Sequence, residues 1–236
     1  MIARVFSIAG GLLFATSITW FIWFYLFGLE RRGTGGFAPG ALTFDVALFS
    51  IFAIHHSVFA RTPVRAWVAR TVSPRIERSI YVWISSIGFL AVCLLWKPAG
   101  PVMWDADGGM RIALRALQVS GVIFTLWAAQ ALDSLALAGI RQLDAPLPRS
   151  GVETGIVTLQ DTGPYGVVRH PIYLGWLLIV WPAPAMTAGH LVFAAISTLY
   201  LVIATIYEER TLGATFGPAY GEYAKRVRWK MLPGVH

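Results

Sequence analysis

Apolar positions in this chain neither alternate nor come in short bursts. They form long runs, at residues 5–27, 41–60, 79–96, 112–132, 171–186 and 190–207, separated by polar stretches rich in arginine, glycine and proline. At about 1.5 Å per helical residue, about 20 residues cross a hydrocarbon core of ~30 Å. A membrane β-barrel would instead show alternating segments of about ten residues, and the chain has none. The pattern predicts an all-α, polytopic membrane helix bundle with about six transmembrane helices, the last two forming a C-terminal helical hairpin. It reads as one membrane domain over 1–236: four spans in 1–135, then a loop, the hairpin and a tail in 136–236.

The hairpin organises the rest. Gly163-Pro164-Tyr165-Gly166 predicts a turn, Val167 and Val168 lead to the basic pair Arg169-His170, and Pro171 suits the first position of a helix, where its missing N–H costs nothing. From Pro171 the chain carries no charge until Glu208-Glu209-Arg210. That interval fits two crossings joined by a turn near Thr187-Ala188-Gly189. Glu208 and Glu209 are then expected back on the face that carries Arg169 and His170.

Composition supports the class. The chain is 56% hydrophobic and only 13% charged, whereas a soluble domain has about 25% charged residues. Its net charge of +7 would suggest nucleic acid in a soluble protein, but here the basic residues gather in the connections, so no polyanion partner is expected. With the N-terminus inside, fourteen Lys and Arg residues fall on the cytoplasmic side, against five (Arg31, Arg32, Lys97, Arg111 and Arg115) on the other. The GPY turn and the glutamate pair then face the cytoplasm, and arginine-rich, lysine-poor usage points to a bacterial inner membrane. The single cysteine, Cys93, lies within a span and reads as a packing residue. The run after Arg4 is too long for a cleaved signal and is expected to be a retained span.

Other polar stretches are weighed against bland alternatives. Gly33-Thr34-Gly35-Gly36-Phe37-Ala38 matches G-x-G-x-x-A but follows a span and no strand, so it reads as a flexible turn. His55-His56-Ser57 closes the second span; adjacent histidines lie about 100° apart on a helix and suit one metal poorly. Residues 62–78 interleave Trp67 and Val68 with Arg65 and Arg70 and predict an interfacial segment on anionic lipid, with Glu77-Arg78 capping the next span or pairing with a neighbour. After Gln130, Asp133 and Ser134 a long stretch with Pro146, Pro148, Gly151 and Gly155 is expected to be a loop that delivers Thr158, Leu159 and Gln160 to the GPY turn. No nucleophile–base arrangement and no metal-ligand spacing stands out.

The chemistry of the hairpin cluster suits a ligand of mixed charge. Arg169 and the helix start favour a carboxylate or phosphate. Glu208 and Glu209 accept from hydroxyl or amino groups, and Tyr165, Tyr173 and Trp176 offer aromatic faces to a purine or a sulfonium. S-adenosylmethionine has all these features; an acidic lipid headgroup has some of them, and the chemistry alone leaves both open.

The run GPYGVVRHPIYLGW, the later EER and FGPAYGEY resemble the membrane methyltransferase superfamily of isoprenylcysteine carboxyl methyltransferases and phospholipid N-methyltransferases. Upstream, HHSVFAR, ERSIYV, Trp96-Lys97-Pro98 and Val102-Met103-Trp104 are similar to its NnrU-like methanethiol S-methyltransferase branch, where a QHS-type motif is usual and this chain has His55 in place of the glutamine. The resemblance implies S-adenosylmethionine as cofactor, with contacts at Gln160, Tyr165, His170, Pro171, Ile172, Tyr173 and Glu208, and with Arg169 and Glu209 shaping the same pocket. It implies methylation of a small thiol, methanethiol to dimethyl sulfide, with His56, Arg61 or Arg78 favouring the thiolate in the substrate pocket. Methylation of an isoprenylcysteine carboxylate or a phospholipid amine is the alternative within the superfamily. A haem- or metal-associated membrane protein using His55, His56 or His190 is the alternative outside it.

Overall fold

The computed structural model describes residues 1–30, 36–97, 99–132, 135, 138–143 and 158–235. Its helices are α1 (Ile2–Trp23), which continues as a π-helical turn over Phe24–Gly28, α2 (Pro39–Phe59), α3 (Thr62–Val68), α4 (Pro74–Leu95), α5 (Gly108–Gln130), α6 (Pro171–Val180), α7 (Ala188–Phe216) and α8 (Pro218–Arg226). Two short strands, β1 (Val102–Asp105) and β2 (Ala185–Thr187), complete the order. Five helical segments are long and apolar enough to cross a membrane: Ile2–Gly28, Pro39–Phe59, Arg75–Leu95, Gly108–Gln130 and Ala188–Phe216. The protein is an all-α polytopic membrane protein. Gly33, Thr34, Gly35, Pro98, Asp133, Ser134 and the loop with Pro146, Pro148, Gly151 and Gly155 lie outside the described residues.

The chain forms two compact units that interleave in sequence. The first holds α1, most of α2, α3 and α4. Within it α1 packs on α4. With hydrocarbon around them, these helices gain little from burying apolar surface, so close packing and interhelical hydrogen bonds carry the contact. Ser7 Oγ lies 2.6 Å from Ser79 Oγ, and Ser79 in turn donates to the Gly139 carbonyl at 2.9 Å. Trp83 stacks on Phe6 and donates its indole N–H to the Phe6 carbonyl at 3.0 Å. Asp45, fully buried, accepts the backbone N–H of Lys97 at 2.9 Å.

The second unit holds α5, α6, α7, α8 and both strands. Here α5 and α6 approach through glycines. A Cβ on Gly175 would sit 2.1 Å from Thr125 Oγ1, and one on Gly121 would sit 2.8 Å from Leu178 Cβ. Small residues at such crossings let backbones meet.

The expected span 171–186 is not one helix. Helix α6 ends at Val180 after ten residues, about 15 Å, because Pro182 and Pro184 follow. Proline has no N–H to continue the ladder and disfavours the helical conformation of the residue before it. The carbonyls this frees at membrane depth need donors. Gln118 Nε2 donates to Ile179 O at 2.8 Å, and Tyr25 Oη donates to Val180 O at 2.7 Å. The chain then runs extended as β2, antiparallel to β1 with Val102 opposite Thr187 and Asp105 opposite Ala185. The reversal falls where the turn was expected: Thr187 caps α7 by accepting the His190 N–H at 3.2 Å, and the Ala188 and Gly189 amides donate to the carbonyls of Pro101 and Ala99.

Two further helices differ from the sequence expectation. Helix α4 starts at Pro74, not near residue 79, so Glu77 and Arg78 lie inside its first turns. Helix α7 runs to Phe216 and carries Glu208 and Glu209 within a continuous helix.

Candidate active site

The second unit brings the hairpin's two ends together. Gly163 opens a 3-10 turn over Gly163–Gly166 with a φ of 59°, a conformation that favours glycine, and Pro164 sets the next residue. A Cβ at Gly163 would lie 3.7 Å from Trp127 Cζ2, so the end of α5 flanks the turn. The chain then presents Val168, Arg169 and His170, all buried, before Pro171 starts α6. Glu208 lies 20 residues beyond the start of α7, about 30 Å along its axis, enough to return the chain across one hydrocarbon core.

Glu209 is a hub. It accepts from Arg169 Nε at 2.9 Å and Arg169 Nη2 at 2.8 Å, from Tyr220 Oη at 2.6 Å, and pairs with His170 Nε2 at 2.8 Å. Glu208 is less engaged. Its Oε2 accepts from Tyr173 Oη at 2.7 Å and lies 3.3 Å from His170 Nδ1, and its side chain is 42% exposed. His170, stacked on Tyr173 with ring centroids 5.3 Å apart, therefore bridges both carboxylates. Burial disfavours its charged form, but the hydrogen bonds and charges of Glu208 and Glu209 outweigh this and raise its pKa above the ordinary histidine value. Tyr165 stands near the same carboxylates: burial, and then the charge of Glu208, push its phenol up to about 12.

The C-terminal segment closes the back of this cluster. Arg169 N donates to Trp229 O at 3.0 Å, and His170 N donates to Lys230 O at 2.8 Å. Arg169 Nη1 donates to the carbonyls of Val227 and Arg228 at 2.8 and 3.0 Å. Arg169 is thus committed to internal partners, and the amides of Arg169 and His170 just before α6 are taken by the tail. Tyr223 donates to Tyr165 O at 2.8 Å, and Arg226 pairs with Asp161. Tyr220, Tyr223 and Val227 form an apolar cluster with Leu159, Leu212 and Phe216.

Of the residues singled out in the sequence, Arg169, His170, Tyr173, Glu208 and Glu209 meet directly, Tyr165 stands beside them, and Pro171 and Ile172 form the first turn of α6. Gln160 donates to Thr158 Oγ1 at 3.2 Å, and no hydrogen bond joins it to the cluster among the described residues. His56, Arg61 and Arg78 belong to the first unit. There the Tyr81 hydroxyl lies 3.0 Å from His56 Nδ1, and the Arg78 guanidinium sits 4.9 Å from the centre of the Tyr81 ring. Sequence reasoning missed Tyr220, the tail and Trp127. Tyr220 and Tyr223, three apart on one helical face, were a readable signal; contacts made by backbone carbonyls leave none.

Known proteins resemble the chain over most of its length. The chain is 34% identical over 232 residues to methanethiol S-methyltransferase 1 of Bradyrhizobium diazoefficiens, covering 96% of this chain and 80% of that protein. It is 38% identical over 205 residues to the methanethiol S-methyltransferase of Pseudomonas deceptionensis, covering 86% and 77% of the two chains. A weaker likeness, 25% over 179 residues, extends to Nurim of Rattus norvegicus, covering 73% and 68%. No family model and no solved structure matches the chain. Identity at this level over most of both chains, with five helices among the described residues long and apolar enough to cross a membrane, has one consequence: the chain belongs to the methanethiol S-methyltransferase family, an integral membrane methyltransferase whose reaction requires a methyl donor.

Proposed function

We propose that the protein transfers a methyl group from S-adenosylmethionine to methanethiol, yielding dimethyl sulfide. The observation that carries this reading is the likeness, over 96% of the chain, to a protein named for thiol methylation. The hairpin cluster supplies a place for the donor, and its residues fit. Glu208 keeps Oε1 clear of the bonds made by Oε2 and is part-exposed; a free carboxylate oxygen accepts from ribose hydroxyls or an ammonium. Tyr165, Tyr173 and Trp127 offer aromatic faces for a purine or a sulfonium. When bound, S-adenosylmethionine supplies a methyl group carried on a cationic sulfur.

The protein's own residues position and protect. His170 and Tyr173 fix the rotamer of Glu208, and Arg169 and His170 balance the charge of the two glutamates. The acceptor reacts as its thiolate, which is the nucleophilic form. The donor cluster faces the cytoplasm of a bacterial inner membrane, a reading that the lysine and arginine distribution supports. Helix α3, with Trp67 exposed, lies on anionic lipid.

An acceptor panel tests the reading: methanethiol, a prenylcysteine and phosphatidylethanolamine, each with radiolabelled donor. Methanethiol is expected to be methylated ahead of the others, and a product from either lipid acceptor alone would overturn the assignment. Glu208→Ala and His170→Ala are each expected to weaken donor binding by about a hundredfold or more, through loss of charge-assisted hydrogen bonds, while the protein inserts and purifies normally. Full donor affinity in both variants, by calorimetry, would remove the site from this cluster.

A further inference from the structure

We infer that Tyr220 and the tail segment 227–230 are positioning elements of the donor site, dividing the two adjacent glutamates so that Glu208 faces the ligand and Glu209 holds the frame. The inference rests on the donor reading above.

A carboxylate offers about four lone-pair sites. Glu209 receives four internal contacts: Arg169 Nε, Tyr220 Oη and His170 Nε2 meet Oε1, and Arg169 Nη2 meets Oε2. Oε1 has no capacity left for a ligand, and Oε2 is engaged by the Arg169 fork. Among the described residues Glu208 makes its polar contacts through Oε2 alone, and its side chain is 42% exposed against 19% for Glu209. Two neighbours in sequence, on one helix, thus serve opposite purposes.

The frame continues into the tail. Arg169 holds Glu209 with one edge of its guanidinium and the carbonyls of Val227 and Arg228 with the other. The amides of Arg169 and His170 pair with the carbonyls of Trp229 and Lys230. Thr205 on α7 donates to Met231 Sδ at 3.5 Å, which fastens the far end of the tail to the helix that carries the glutamates. His170 is therefore fixed at its backbone by the tail and at its ring by Glu209, and it in turn sets Glu208. Tyr220 touches neither donor nor acceptor in this scheme; it acts through Glu209.

The deciding variant is Tyr220→Phe in the full-length protein, because it removes one hydroxyl and leaves the ring in its apolar cluster. The expected result is a donor KM raised about tenfold, the worth of one hydrogen bond to a charged group, with the thiol KM unchanged and kcat at saturating donor within about twofold. A chain ending at Arg226 is expected to lose donor binding by about a hundredfold, several such bonds being removed together. A residue that only kept the fold intact would lower kcat through loss of active enzyme and leave the donor KM alone. That pattern in Tyr220→Phe, or wild-type kinetics, overturns the positioning role. Glu208→Gln separates the two levels. If it loses donor affinity while Tyr220→Phe does not, the frame is wrong and the donor site stands; if it binds donor like the wild type, the donor site is wrong and the frame falls with it.

Discussion

Arg65–Glu77 in the first unit and Arg169–Glu209 in the second are the same chemical pair, each an arginine forked onto a glutamate. Arg65 reaches Glu77 through Nε at 3.2 Å and Nη2 at 3.0 Å, with side chains only 10% and 4% exposed. It ties the short helix α3 to the first turn of α4, twelve residues away. The Arg169 fork spans 40 residues, joins α7 to the start of α6, and passes through His170 to a carboxylate that is part-exposed. A buried arginine–glutamate fork is by itself a fastener, and weak evidence of function. What marks the second one is the open acceptor at the end of its network and a titratable imidazole between its two acids.

The contrast breaks most forcefully at the first fork. Glu77→Ala removes the carboxylate that faces a buried guanidinium, and is expected to cost about 3–5 kcal/mol of stability, seen as a large fall in folded yield and melting temperature. The fraction that folds should bind S-adenosylmethionine with unchanged affinity. A selective loss of donor affinity in that fraction would mean that the fastener is also a site. A gentler change sharpens the point. Replacing both partners with apolar groups of similar volume, Arg65→Met with Glu77→Leu, removes the desolvation of two charges, and is expected to be neutral or stabilising by about 1–4 kcal/mol. The same exchange at Arg169 and Glu209 would abolish donor binding whatever it did to stability, because His170 and the tail would lose their anchor.

The meeting of Arg169 and His170 with the glutamates was legible because it depends on chain length alone: an uncharged interval from Pro171 to Glu208 can only go out and come back. The fold class was legible for the same reason. The break in α6 was harder to see, since the apolar run continues to Met186 and hydropathy does not register what Pro182 and Pro184 do to the backbone. The start of α4 was misplaced because charge was taken to end a span, whereas Glu77 is neutralised by Arg65 and can lie inside one. The commitment of Arg169 to internal partners, where a ligand's carboxylate was expected, depends on carbonyls of Val227 and Arg228 that any residue types would have supplied. Side-chain identity could assign Arg169 to the site; it could not tell a receptor from a brace.

The smallest expected effect distinguishes the forks by pH. An unfolded histidine titrates near about 6.5, and His170 in the folded protein titrates higher because Glu208 and Glu209 outweigh the cost of its burial. The protonated ring therefore contributes stability in full below about pH 6.5 and loses it as pH rises through the folded value. The wild type should melt at progressively lower temperature across that alkaline window, by less than the drop caused by Glu77→Ala. His170→Gln should start lower and decline less, since its side chain has no proton to lose. In Glu77→Ala the whole curve should shift down with its alkaline slope intact, because His170 and its two glutamates are unchanged. Equal alkaline slopes in the wild type and His170→Gln would show that the imidazole is not charged between its two glutamates, and the second network would then be a fastener like the first.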